Sequence, residues 1–218
     1  MTKIFLLPVD EKINNNIFSQ LLNFVSSKKR MKIMQFNFDI DKKLSLYSEL
    51  LVRYLACMQL HISNDKIEFS YGKYGKPHIL NFPNFHYNIS HTHSTIVMSI
   101  SENPVGVDIE KIRSVDRKIV NRFFTDGERA YVYDDEKLIN ERFYEIWTKK
   151  EAYIKYTGRG LSMPLDSFNV CNEPLSHIIQ TYKMNGYVIS CCSDSSNEES
   201  EIINIPEIFL VKQYVKIE

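Results

Sequence analysis

Apolar and polar residues alternate or recur with enough regularity to lay out the chain. Lys3 to Val9 is a short apolar run and predicts a first strand. Ile13, Ile17, Leu21 and Val25 recur at helical spacing and lead into a basic cluster, Lys28-Lys29-Arg30-Met31-Lys32. From Asp41 to Leu60 the stripe Leu44, Tyr47, Leu51, Tyr54 and Met58 predicts a long helix. Lys66 to Tyr71 is expected as a strand, ended by the loop Gly72-Lys73-Tyr74-Gly75-Lys76-Pro77. Strands are expected at Tyr87 to Ile89, Thr95 to Ile100 and Val105 to Ile109. Thr125-Asp126-Gly127-Glu128 has the Thr-x-x-Glu form that starts a helix with reciprocal caps. A longer helix is expected from about Asn140 to Thr157, with Gly158 as its stop. Ile178 to Tyr182, Tyr187 to Cys191 and Ile208 to Gln213 are expected as strands, and polar Ser193 to Glu201 as a loop or hairpin tip. The sum is α+β, with two comparable halves, 1-105 and 106-218.

Composition narrows the class. The 218 residues carry 27 Lys+Arg against 27 Asp+Glu, which excludes a chain whose main task is coating nucleic acid. The neutral total hides a basic half, with 12 Lys+Arg and 8 Asp+Glu over residues 1–105. The other half, residues 106–218, is acidic, with 15 and 19. Such asymmetry suits a site that grips phosphate with one half and holds a hard cation with the other. Six of seven glycines lie between Gly72 and Gly160, which draws attention to that stretch. The four cysteines form no Cys-x-x-Cys spacing, so they read as small buried hydrophobes in a reducing compartment. The opening apolar run is too short for a signal-peptide core. No run reaches the ~18 apolar residues of a membrane span. A cytoplasmic protein without membrane or nucleic-acid partners is expected.

Three constellations carry candidate chemistry. In Gly106-Val107-Asp108-Ile109-Glu110, strand alternation puts Gly106, Asp108 and Glu110 on one face. Two carboxylates two residues apart repel unless water or a cation intervenes, and a glycine beside them leaves room for a ligand; Mg²⁺ fits such a donor pair. Taken alone, the pentapeptide is more simply a half-exposed strand with a polar outer face. Glu151 and Lys155 share a helix face within Trp147-Thr148-Lys149-Lys150-Glu151-Ala152-Tyr153-Ile154-Lys155. They form either an ordinary surface ion pair, or a third carboxylate and a phosphate-facing cation. In Asn88-Ile89-Ser90-His91-Thr92-His93, His91 and Ser90 can donate to phosphate, though an idle loop histidine is the commoner case.

Taken in order, Tyr74-Gly75-Lys76-Pro77, Asn88-Ile89-Ser90-His91, Gly106 to Glu110, Arg122-Phe123-Phe124 with Glu128, and Trp147 to Lys155 running into Gly158-Arg159-Gly160-Leu161 resemble the Sfp-type 4′-phosphopantetheinyl transferases. The likeness runs from about Phe24 to about Val170. It implies transfer of the phosphopantetheine arm of coenzyme A to a serine of an apo acyl or peptidyl carrier protein, releasing 3′,5′-ADP. It also implies two similar α/β subdomains related by a pseudo-twofold axis, in a monomer with coenzyme A between the halves. By the same resemblance Asp108, Glu110 and Glu151 hold Mg²⁺ on the coenzyme A diphosphate, so that Asp108 also belongs to the cofactor site. Glu151 and Lys155 are catalytic, Lys155 touching the diphosphate and His91 a phosphate. Gly75, Lys76, Pro77 and Ser90 line the nucleotide pocket, and Lys29 and Lys32 meet the 3′-phosphate. One position departs: where the family often carries Arg before Ser or Thr, this chain has Leu44-Ser45. Ser45 keeps a donor, and Lys42 or Lys43 is available to replace the charge. Arg117, Lys118 and Arg122 offer a basic face to an acidic carrier. Without the family, a Mg²⁺-dependent nuclease and a non-catalytic coenzyme A or carrier binder are the alternatives. The helical spacing of Glu151 and Lys155 and the lack of basic excess speak against the nuclease. The intact acidic set speaks against the binder.

Overall fold

The computed structural model describes residues 1–12, 14–194 and 199–216. Ile13 and part of the expected loop at Ser193 to Glu201 lie outside them. The architecture is mixed α+β, in four layers: helix, sheet, sheet, helix. The first sheet has the order β4-β5-β1-β9, with β1 (Lys3–Pro8), β4 (His86–Thr92), β5 (Thr95–Ser101) and β9 (Glu201–Asn204). β1 and β4 each pair antiparallel with β5, and β9 pairs parallel with β1. The second sheet is the antiparallel β6-β8-β7, built from β6 (Val105–Lys111), β7 (Ile179–Met184) and β8 (Tyr187–Ser193). A small hairpin joins β2 (Phe69–Tyr71) to β3 (Pro77–Ile79).

Alternation along the strands assigns the layers. Phe5 and Leu7 on one face of β1 join Leu46, Leu50 and Leu51 of the long helix α3 (Asp39–Leu60) in the first core. Ile4 and Leu6, on the other face, pack with Val105, Val107 and Ile109 of β6 and Ile189 of β8, so the two sheets share a core. The outer face of the second sheet is covered by α6 (Ile139–Thr157), and α4 (Arg117–Phe123) and α5 (Asp126–Tyr133) join the same core through Val120, Phe124 and Val132 beside Phe143 and Ile146. Each such side chain taken fully out of water contributes ~1.5–3 kcal/mol.

Local signals explain the helix limits. Thr125 and Glu128 form the expected reciprocal cap of α5. Gly158, at φ 67°, takes the left-handed turn that stops α6. The basic cluster Lys28 to Lys32 falls within α2 (Ser27–Met34), after α1 (Asn15–Leu21). Met58, the last residue of the predicted α3 stripe, is 60% exposed, because the stripe drifts off the core near the helix end.

Several elements differ from expectation. Lys66 to Tyr71 is not one strand: a single 3₁₀ turn occupies Asn64–Lys66, and only Phe69–Tyr71 pairs. The strand expected at Tyr87 to Ile89 runs on to Thr92, so His91 lies in strand rather than loop, and the turn comes at His93, at φ 47°. A four-residue helical turn, α7 (Leu175–Ile178), precedes β7. Ile208 to Gln213 is not a strand. Glu207–Lys212 is the helix α8, capped at Pro206 with Glu207 in its first turn. A continuous apolar run does not distinguish strand from helix, and here Leu210 and Val211 enter the first core as a helical pair. Glu201, expected in a loop, opens β9, so the last described residues return to the first sheet. Lys43 fixes that return: its ammonium donates to Asp10 O at 2.7 Å and Lys12 O at 2.8 Å, and pairs with Glu207 at 2.7 Å.

Candidate functional site

β4 and β6 are edge strands of different sheets, and their edges run side by side. Side chains, not a backbone ladder, bridge this seam. Asn88 Oδ1 accepts from the Val107 backbone N–H at 2.8 Å. Ser90 Oγ donates to Asp108 Oδ1 at 2.7 Å, and Thr92 Oγ1 to Glu110 Oε2 at 3.2 Å. The offset of 18 residues in the last two pairs keeps the two edges in step. Unpaired strand edges are a liability unless something covers them; here polar side chains cover them and gather the acidic residues.

Helix α6 closes the seam from above. Gly106 makes this approach possible: a Cβ built there would lie 2.1 Å from Ala152 O and 2.3 Å from Tyr156 N, both backbone atoms of α6. The expected role of Gly106, room for a ligand, is therefore corrected. The missing side chain is filled by helix backbone, which lowers α6 onto β6. Glu151 and Lys155 descend with the helix. Lys155 Nζ pairs with Asp108 Oδ1 at 2.6 Å and donates to Ser90 Oγ at 2.9 Å and Val107 O at 3.2 Å. Of the two alternatives for Glu151 and Lys155, the ion pair within the helix does not form; the Glu151 side chain makes no hydrogen bond or ion pair among the described residues.

The electrostatics centre on Asp108, which is 4% exposed. Its Oδ2 is buried without a hydrogen-bond partner. Burial, and then the Asp108 charge, push the Glu110 carboxyl above its ordinary pKa. The same two causes, in the same order, raise that of Glu151. In both cases Lys155 opposes the rise. Three carboxylates thus bear on one another through Asp108. Among the described residues, however, no three His, Cys, Asp or Glu side chains form a ready metal cage. Hard carboxylate oxygens, one of them a buried orphan, are the donors a divalent hard cation requires, so the set fits Mg²⁺ by chemistry.

Beside this knot lies a cavity of about 300 Å³, walled by Tyr74, Gly75, Lys76 and Pro77 on one side and Glu151, Lys155 and Gly158 on the other. Gly75, at φ 86°, turns the loop so that it forms this wall. The Lys76 ammonium does not point into open space. It donates to Lys155 O at 2.6 Å, Val105 O at 2.9 Å and Tyr156 O at 3.4 Å, and burial lowers its pKa to about 8. A larger cavity of about 590 Å³ lies on the other face of β6, among Ile109, Ile189, Tyr187 and Met184. Its acidic neighbours already have partners: Asp10 accepts from Lys12 N, and Glu207 from Asp10 N, Tyr47 and Lys43. The chemistry therefore belongs to the smaller cavity.

The basic residues of the first half approach from α2 and α3. His91 is exposed on β4, and desolvation by the surrounding protein, then the Lys155 charge, hold its pKa below the ordinary value, with Lys29 acting in the same sense. The Lys29 pKa is lowered by burial; Glu49, 3.9 Å away, opposes that, and Lys32 reinforces it. Lys29, Lys32 and His91 thus share one field. Ser45 is half-buried on α3. Leu44 is 3% exposed in the first core, where a guanidinium would have no partner. Neither neighbouring lysine replaces that charge: Lys43 holds the returning tail, and Lys42 pairs with Asp39 at 2.8 Å.

Sequence reasoning missed the pair next door. Lys150 and Glu128 are both fully buried and pair at 2.8 Å. Lys150 also donates to Leu165 O and Phe168 O, while Glu128 accepts from Thr125 N and Val170 N. The signal available was Lys150 itself, falling on the apolar stripe of Phe143, Ile146 and Ile154.

Fold and site together define an α+β protein in which a strand and a helix bring acidic groups and one lysine to the seam between two sheets. Comparison with known proteins supplies the family. The 4'-phosphopantetheinyl transferase superfamily matches residues 104–205, and the family described as 4'-phosphopantetheinyl transferase, N-terminal, matches residues 12–103. The chain is 35% identical over 207 residues to the 4'-phosphopantetheinyl transferase ffp of Bacillus subtilis, covering 88% of this chain and 92% of that one. It is 33% identical over 205 residues to Sfp of Bacillus subtilis strain 168, with the same coverage. With gsp of Aneurinibacillus migulanus it shares 35% over 210 residues, 88% of this chain and 86% of the other. The chain belongs to the Sfp-type 4′-phosphopantetheinyl transferases, and is a transferase of that class.

Proposed function

We propose that this chain moves the 4′-phosphopantetheine arm of coenzyme A onto a serine of an apo carrier protein, with Mg²⁺, releasing 3′,5′-ADP. The observation that carries the reading is the Asp108 knot. Beside the cavity stand one ion pair, one buried carboxylate oxygen without a partner and one unengaged carboxylate, Glu151. Asp108, Glu110 and Glu151 would hold Mg²⁺, whose positive charge would offset that of a diphosphate when bound. Lys29, Lys32 and Ser45 would take the 3′-phosphate, and the wall Gly75 to Pro77 the nucleotide. His91 would donate to a phosphate, and Ser90, whose hydroxyl donates to Asp108, would line the nucleotide pocket.

The carrier serine oxygen attacks the β-phosphorus, forming a phosphodiester to the arm, while the bond to the leaving 3′,5′-ADP breaks. Glu151 takes the serine proton. Its place on the wall of the cavity, with its carboxylate engaged by no partner among the described residues, supports this role. Lys155 stabilises charge on the departing phosphate from its anchorage on Ser90 and Val107 O.

The same reading includes two pseudo-symmetric halves, 1–105 and 106–218, meeting at the β4–β6 seam, with the tail after Glu201 strapped back across the first. It also includes a monomer acting in the cytoplasm. No helix among the described residues is long and apolar enough to cross a membrane. Exposed Lys118 and Arg122 on α4 are the cations offered to an acidic carrier, such as a peptidyl carrier domain, since Arg117 already pairs with Glu136 at 2.5 Å.

The test is to incubate the protein with coenzyme A, Mg²⁺ and an apo carrier, and weigh the intact carrier. Addition of one arm, abolished by a chelator, is expected. An unchanged carrier, or cleavage of added DNA, would overturn the reading.

A further inference from the structure

We propose that Lys76 is a positioning residue: its ammonium clamps the last turn of α6 to the first residue of β6, and so sets where Lys155 stands over Asp108. The proposal rests on the transferase reading above. The final carbonyls of a helix have no partner within the helix, and a cation placed there is favoured. Lys76 supplies that cation to Lys155 O and Tyr156 O, and bonds Val105 O at the start of β6 with the same group. Lys155 is thus gripped at both ends, its carbonyl by Lys76 and its ammonium by Asp108, Ser90 and Val107 O.

The three acceptors are all backbone carbonyls, and between them they engage the three N–H donors of the ammonium. The stem alone lines the cavity, passing close to Gly158: its Cδ lies 3.6 Å from where a Cβ on that glycine would stand. The clamp is itself held firm. Gly72 N donates to Lys76 O and Gly75 N to Gly72 O, both at 2.9 Å, and Pro77 follows at once as the first residue of β3. The loop that walls the cavity therefore also tensions the helix that carries Lys155 and Glu151.

Direct binding of coenzyme A by the Lys76 side chain would appear in KM, whereas positioning appears in kcat. K76M is expected to lower kcat roughly 10- to 100-fold, the scale of an ångström-sized misplacement. KM for coenzyme A should stay within about twofold, and K76R, whose fork also donates to several carbonyls, should recover most of the loss. In a Lys155→Ala background, followed by single-turnover carrier mass, adding K76M should cost nothing more, since the two act through one group. Amide hydrogen exchange over residues 154–158 should quicken in K76M. Should K76M not fold, K76Q is read for the same split. A rise in KM with kcat intact, or a full further loss in the Lys155→Ala background, would overturn the proposal. Wild-type protein without arm transfer would bring down the transferase reading, and this proposal with it.

Discussion

Among the lysine–carboxylate pairs of helix α6, the two formed by Lys150 and Lys155, five residues apart, are built oppositely. Lys150 with Glu128 is closed: both side chains are fully buried, and each also bonds to backbone groups on the segments it ties together. Lys155 with Asp108 is open: the lysine is 25% exposed, the second aspartate oxygen has no partner, and two further carboxylates crowd it. A buried pair whose partners are complete has no capacity left for a ligand, and serves as scaffold. A pair left incomplete beside a cavity holds unfavourable electrostatics that a ligand can relieve.

Breaking the closed pair should give the largest effect on stability. Lys150→Met leaves Glu128 buried and unpaired, and should cost about 3–5 kcal/mol in denaturant unfolding. Replacing both partners, with Glu128→Leu added, should recover most of that, because well-packed apolar groups carry no desolvation penalty. A loss below about 1 kcal/mol for the single change would show that the pair is not the scaffold described.

Between the two pairs lies the contact at Gly106. Gly106→Ala must push α6 off β6, since the atoms in the way are helix backbone. An overpacking cost of about 1–3 kcal/mol is expected, with arm transfer reduced roughly 100-fold as Lys155 and Asp108 separate. Unchanged turnover in the folded variant would contradict that role.

The sequence made some of this legible and hid the rest for physical reasons. Alternation in Val105 to Glu110 placed Asp108 and Glu110 on one face, and the Gly158 stop delimited α6, because both are local rules. Gly106 was misassigned because a strand glycine next to carboxylates is the same string whether ligand or helix fills the space. The α8 helix was taken for a strand because Ile208 to Val211 is apolar throughout and carries no period. The return of the tail to β1, and the mate of Lys150 at Glu128, depend on contacts distant in sequence that no local pattern encodes. A histidine at position 91 reads as a loop residue, but β4 runs through it to Thr92, so alternation turns Ser90 toward the seam and His91 to the opposite face.

The open pair should respond to a cation. With coenzyme A present, Mg²⁺ at a hundredfold over its Kd should stabilise the fold by ~2.7 kcal/mol, visible as a rise in Tm. Glu151→Gln should shrink that rise, and the closed pair predicts no such response from Lys150→Met. Equal rises in wild type and Glu151→Gln would remove Glu151 from the cation site.

The smallest effect expected is at His91. Its pKa lies below the ordinary value, so the ring is neutral at pH 7 and gains charge only in acid. Affinity for coenzyme A should therefore be higher at low pH and fall, roughly three- to tenfold, as pH rises through that depressed pKa. His91→Ala should flatten the profile when binding is followed by calorimetry; an unaltered slope would assign it elsewhere.

The most direct test of the open pair as the chemical centre is the intact mass of an apo carrier after a single turnover with Glu151→Gln, saturated with coenzyme A and Mg²⁺. No added arm is predicted, although coenzyme A binding stays near that of the wild type. A carrier loaded at the wild-type rate would contradict the claim.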